Sequence, residues 1–95
     1  MEKHEYMKKV EDRLAQYDVQ LTNIRTKGIR VGNGMRREYL GQINVLEKKR
    51  DKLVATYGQL KAGRVSAWEE LQGGTEKCFV DFKEAFDKIK NRFMF

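Results

Sequence analysis

Proline is absent from the 95 residues, and cysteine and histidine occur once each, as Cys78 and His4. Without proline, no helix is forced to stop by a missing backbone N–H. A single cysteine excludes an intrachain disulfide and any multi-thiolate metal cluster. One histidine near the start leaves a protein-only zinc site short of ligands, so neither metal nor cofactor is expected. Long apolar runs are missing too. The opening Met1-Glu2-Lys3-His4-Glu5 is charged and leads into none, so neither a signal peptide nor a transmembrane segment is expected, and the chain reads as cytoplasmic. Paired catalytic carboxylates are also lacking. Asp81, Glu84 and Asp87 fall on the polar side of a helix with nothing to enclose a substrate, so the chain reads as non-enzymatic.

Acid is in short supply. Lys and Arg number 20 against 14 Asp and Glu, for a net charge of +6. Residues 1–34 carry a net +2, residues 35–62 a net +4 and residues 63–95 none, so an anionic partner would be steered to the middle segment.

What the chain does have is periodicity. Apolar residues recur at Met7, Val10, Leu14, Tyr17, Leu21 and Ile24, in steps of three and four. This is the a/d beat of helices that pack through a seam. The beat runs on through Gly28, Val31 and Met35. Two steps of four then reach Tyr39 and Ile43, a stutter that locally unwinds a coiled coil. The seam resumes at Leu46, Arg50, Leu53, Tyr57 and Leu60. Arg50 is its one charge, expected to lay its stem along the seam and send its head to water. Gly63 then suits the left-handed position after a helix, and Ser66 with Glu69 makes an S-x-x-E capping box. A second seam follows through Trp68, Leu71, Thr75, Phe79, Phe82, Phe86, Ile89 and Phe93. Gly73-Gly74 near its start is expected to loosen or bend the first turns. Residues 35–62 and 66–93 therefore predict an antiparallel helical hairpin with a turn at about 63–65.

The fold class is all-α, as one helical coiled-coil domain over residues 1–95. The placement of residues 3–27 depends on the glycines at 28, 32 and 34. Each costs ~1 kcal/mol in a helix interior, and Val31-Gly32-Asn33-Gly34 has turn composition. The unbroken beat argues for continuous helix instead. On the residues alone two architectures stay open. In one, a long first helix over about 3–62, weakened or bent at Gly28–Gly34, packs its overhang on another subunit. In the other, a turn there completes a three-helix bundle.

Several segments carry a recognisable pattern: Glu38-Tyr39-x-x-Gln42-Ile43-x-x-Leu46-x-x-Lys49-Arg50, then Leu60-Lys61-Ala62, Ala67-Trp68-Glu69-Glu70-Leu71-x-x-Gly74-x-Glu76-Lys77, Phe82-Lys83-x-Ala85-Phe86 and Arg92-Phe93. This resembles a family of small bacterial coiled-coil proteins that includes a cyanobacterial stress-response protein. The similarity runs from about Tyr6 to Phe93, with Ala-Trp-x-x-Leu-x-x-Gly its most distinctive part. The resemblance implies an all-helical protein, possible involvement in stress, and no established enzymatic activity, cofactor or ligand. The family usually has alanine and charged residues where this chain has Gly28–Gly34, at unchanged spacing, which implies the long, softened first helix. Tyr17 stands where a tryptophan is common.

The leading functional expectation is a coiled-coil interaction or structural protein. It would self-associate, with a dimer favoured, or scaffold a protein partner. The seam for this is Met7, Val10, Leu14, Tyr17, Leu21, Ile24, Val31, Met35, Trp68, Phe79, Phe82, Phe86 and Phe93. The alternative is a nucleic-acid or anionic-surface binder through residues 36–52, with Arg36, Arg37, Lys48, Lys49 and Lys52 on phosphates. No base-reading motif accompanies them. A third reading is a small accessory subunit of a larger complex. The aromatic stripe of the second seam reads as core rather than cofactor box, and Cys78 as inert packing. The glycine stretch lacks the Gly-Lys-Ser/Thr end of a phosphate loop. Solution scattering distinguishes the two architectures: a rod of roughly 90 Å is expected for the long helix, and a body of roughly 45 Å for the bundle.

Overall fold

In a computed structural model the chain forms three helices, α1 (Lys3–Lys27), α2 (Asn33–Ala62) and α3 (Trp68–Phe93), with a 3₁₀ turn at Gly28–Arg30. The structure describes residues 2–63 and 67–93. The fold is all-α, and the hairpin of α2 and α3 is formed. The bundle measures 51 × 18 × 17 Å. Acidic Glu69 and Glu70 start α3, and Lys90 and Arg92 end it, in keeping with the helix dipole.

The glycine stretch is a turn, and the long first helix over 3–62 is not formed. Val31 (φ −77°, ψ 128°) and Gly32 (φ −61°, ψ 153°) are extended, so α1 folds back along α2. The physical reason is burial. A continuous helix would leave the face of α1 in water. Folding back leaves Val10, Leu21 and Ile24 only 0%, 3% and 2% exposed. Each such side chain contributes ~1.5–3 kcal/mol, more than the few helical hydrogen bonds given up at the turn. The beat crosses the turn because Val31 still reaches the core, and Met35 packs against it.

Gly28 has a specific role. A Cβ built there would lie 2.7 Å from Cε1 of buried Tyr39. The ring takes the side-chain space, and its hydroxyl donates to the Ile24 carbonyl in the last turn of α1. Gly32 and Gly34 face open space.

The two seams meet in one core. Tyr39, Leu46, Leu53, Leu60, Phe82 and Ile89 are almost wholly buried. Among the described residues no Cα of α1 comes within 8 Å of α3. Aromatic side chains fill that wider gap. Tyr17 stacks on Phe82 at 4.1 Å and meets Phe79 edge-on at 5.7 Å, while Tyr6 meets Trp68 edge-on at 5.5 Å.

Two local expectations are corrected. Gly63 is extended (φ −69°, ψ 148°), not left-handed; glycine fits there because a Cβ would strike Leu71 Cδ1 and come within 3.0 Å of the Gln59 carbonyl oxygen. Gly73 and Gly74 lie within α3, which is helical from Trp68 to Phe93. The Arg50 head is not simply in water, since it donates to both Asp18 oxygens at 2.7 and 3.0 Å. The capping box includes Ser66, which lies outside the described residues.

Substituting the glycines should separate these roles. Gly28→Ala is expected to destabilise by ~1–3 kcal/mol through overpacking against Tyr39. Gly34→Ala is expected to stabilise by up to ~1 kcal/mol, having room for its methyl group and gaining helix propensity. Urea denaturation followed by circular dichroism checks both. Equal effects would contradict the assignment.

Candidate interaction surface

The seam read as an interaction surface is occupied within the chain. Val10, Leu21, Ile24, Val31, Phe79 and Phe82 are core residues, and Met7, Leu14, Tyr17, Met35, Trp68, Phe86 and Phe93 pack against that core. Each packs within the chain, so the overhang that called for another subunit does not exist.

Most polar side chains at the helix boundaries are also committed. Arg13 donates to both Glu76 oxygens at 3.1 and 3.0 Å, joining α1 to α3, and the Tyr6 hydroxyl donates to Glu76 Oε1 at 2.9 Å. Arg25 holds Glu47 through Nε at 2.8 Å, and Arg92 holds Glu38 at 3.0 and 3.2 Å. Burial pushes the Glu76 carboxyl up, but the Arg13 and Tyr6 hydrogen bonds and the charges of Arg13 and Lys9 outweigh it, leaving Glu76 below its ordinary value of 4.5. Burial, and then Glu76 itself, push the Tyr6 hydroxyl far above the ordinary tyrosine value of 10.0. Among the described residues no three of His, Cys, Asp and Glu are grouped to hold a metal ion. No described helix is long and apolar enough to cross a membrane.

The five lysines and arginines expected to contact anions do not form one patch. Arg36 is exposed at the end of the first turn of α2 and Arg37 just beyond it. Lys48 and Lys52 are exposed roughly 16 Å or more further along the helix, from its rise per residue. Lys49 is half-buried in a shallow depression that also includes Asp81 and Glu84.

The fold gathers a different set at the end of the bundle that holds the glycine turn. Residues 25–37 contain Arg25, Lys27, Arg30, Arg36 and Arg37 and no acid. Two open depressions flank the turn. One, of about 500 Å³, is floored by Tyr39, Leu40 and Ile43 and rimmed by Arg25, Ile29, Arg36 and Glu47. The other, of about 590 Å³, has Val31, Met35 and Phe93 with Lys27, Arg30 and Arg92. Ile29, which lines the first, is 78% exposed, the most exposed large apolar side chain described. Sequence reading missed Lys27, Arg30 and Ile29 as members of this site. The available signal was the acid-free run across the glycines.

No protein-family model matches the chain, and no curated protein or solved structure matches it.

The Glu76 bridge has a pH signature. A depressed carboxyl pKa contributes stability that is complete above pH 4.5 and is lost as pH falls through the lower folded value. Glu76→Gln is expected to cost ~1 kcal/mol at neutral pH, discounted for its partial exposure. The variant's deficit should shrink as acid is added below pH 4.5. Chemical denaturation across pH 2–7 measures the difference; a deficit that stays constant with pH would contradict the bridge.

Proposed function

We propose that this protein is a non-enzymatic helical interaction module whose contact surface is the glycine-turn end of the bundle, and that its partner is anionic. The observation that carries this is the acid-free run of five cations around the turn. Folding accounts for Arg25, which pairs with Glu47, and for Lys27, at the favourable end of the α1 dipole, but not for Arg30, Arg36 and Arg37. Arg36 and Arg37 sit at the positive end of the α2 dipole, where no acidic residue opposes them. Such placement costs stability, roughly 0.3–1 kcal/mol per charge. Arg30, Arg36 and Arg37 have no ion-pair partner among the described residues. Cations held at a cost and left unpaired favour a partner that neutralises them.

This moves the anion-contact reading from residues 36–52 to residues 25–37. A cytoplasmic location is part of the proposal, as is the absence of catalysis. The resemblance to small bacterial coiled-coil proteins is in keeping with it, and any link to stress rests on that resemblance alone.

Self-association is a second reading, now for a reason other than the seam. Ile29 and Leu40, 78% and 56% exposed, border the same depression and could bury against a second copy. Sedimentation equilibrium at micromolar concentration tests it, and a strict monomer would remove it.

Heparin serves as a generic polyanion for the main reading. Binding is expected at low ionic strength and should weaken steeply with salt. Arg30→Glu/Arg36→Glu/Arg37→Glu should abolish it, while the same reversals at Lys48 and Lys52 should have a smaller effect. A wild-type chain that ignores heparin at low salt would overturn the reading.

A further inference from the structure

Building on the proposed anionic partner, we infer that the partner is an anionic lipid surface, which the bundle meets end-on through Ile29 and its surrounding arginines. Charge alone does not separate a bilayer from a nucleic acid, since both present phosphates. The apolar features of this end do.

Ile29 stands 78% exposed on a three-residue 3₁₀ turn, between Lys27 and Arg30 in sequence. An aliphatic side chain there cannot read a base edge by hydrogen bonds or stack as a ring on a base; its use on nucleic acids is as a wedge between the base steps of a bent duplex, which the duplex arm of the test below reports. It does match the interfacial zone of a bilayer, where an apolar residue enters below a ring of Lys and Arg. The depressions beside the turn combine apolar and cationic linings, Lys27, Arg30 and Arg92 in one and Arg36 with the Arg25–Glu47 pair in the other.

Shape points the same way. The cations gather at one end of a body 51 Å long and 17–18 Å across. A duplex would be tracked by charges spread along the length, and a planar surface is met by an end. Lys48 and Lys52, the exposed lysines on the side of α2, have Val45 near them, 49% exposed against 78% for Ile29. Glu38 and Glu47, the nearest acids on α2, are held by Arg92 and Arg25, which limits repulsion from an anionic surface.

Vesicle flotation of the whole chain tests this, using vesicles of phosphatidylcholine with phosphatidylglycerol, vesicles of phosphatidylcholine alone, and labelled duplex DNA and single-stranded RNA at matched salt. Binding is expected for the anionic vesicles and should fall with salt. Arg30→Ala/Arg36→Ala/Arg37→Ala should weaken it about 100-fold, from about fivefold per cation at an anionic surface. Ile29→Ser should weaken it about tenfold while leaving the salt dependence unchanged. Lys48→Ala/Lys52→Ala should weaken it less than the arginine triple. All these sites are exposed, and circular dichroism melts confirm that each variant is folded. Nucleic-acid binding as tight as vesicle binding at the same salt overturns the inference and leaves the anionic-partner reading standing. Vesicle binding that Ile29→Ser does not change also overturns it, because charge alone would then suffice. No binding to vesicles, nucleic acid or heparin overturns both.

Discussion

The ring of Tyr39 lying against Gly28 is the contact on which the rest of the architecture depends. The ring occupies the volume that any larger residue at 28 would need. Its hydroxyl donates to the Ile24 carbonyl, and its edge meets Phe93 at 4.8 Å. One side chain of α2 thereby holds the end of α1 and the end of α3. With that junction made, α1 can only run back along α2. Its apolar face is then buried within the chain, and the charged ends of the turn are left outside.

Ion pairs between helices act on register more than on stability. Arg50 with Asp18 and Arg25 with Glu47 join α1 to α2, Arg13 with Glu76 joins α1 to α3, and Arg92 with Glu38 joins α2 to α3. All are partly exposed, and such pairs contribute ~0–1 kcal/mol each. Their value lies in direction. A slip of either helix by one turn would separate these partners and set charges against apolar surface. The Arg13, Glu76 and Tyr6 group matters most here, because α1 and α3 have no close backbone contact among the described residues. The turn end is basic because residues 25–37 contain five cations and no acid, while the acids next along α2, Glu38 and Glu47, are held by Arg92 and Arg25.

Both seams were legible from spacing alone, and Leu46, Leu53, Leu60, Phe82 and Ile89 lie in the core as their period requires. The reversal at the glycines was legible only as one of two architectures, through the turn composition of Val31-Gly32-Asn33-Gly34, and spacing did not decide between them. A turn that feeds the chain back to one core keeps the same interval between buried residues as a continuous helix, so Val31 and Met35 fitted either path. Tyr6 was missed as core for a related reason, and Cys78, read as inert packing, is buried outside the seam positions. A two-helix seam buries a narrow a/d stripe, whereas a helix with two neighbours buries a wider one. Tyr6 beside Met7 and Cys78 beside Phe79 occupy that extra width. The Arg50 pairing needed α1 in place beside α2 before Asp18 came within reach. The turn-end surface needed the same step, since Lys27 and Arg30 join Arg36 only after the chain reverses.

The small cross-section of the bundle limits what its end can do alone. An end 17–18 Å across offers room for a few cations and one inserted side chain. At an anionic surface each cation is worth ~1 kcal/mol, and a fully buried isoleucine ~1.5–3 kcal/mol. Together these support a weak, reversible attachment rather than a permanent anchor. Under the proposed attachment, such an end would sense surface charge, because binding would rise and fall with the density of anions it meets. The opposite end, with α3 starting on Glu69 and Glu70, lacks this excess of positive charge. The molecule is therefore polar along its long axis, and an anionic surface orients it as well as attracts it. Orientation of this kind follows from the turn. Had the chain continued as one helix, Arg30, Arg36 and Arg37 would lie midway along a rod, with no end to present them.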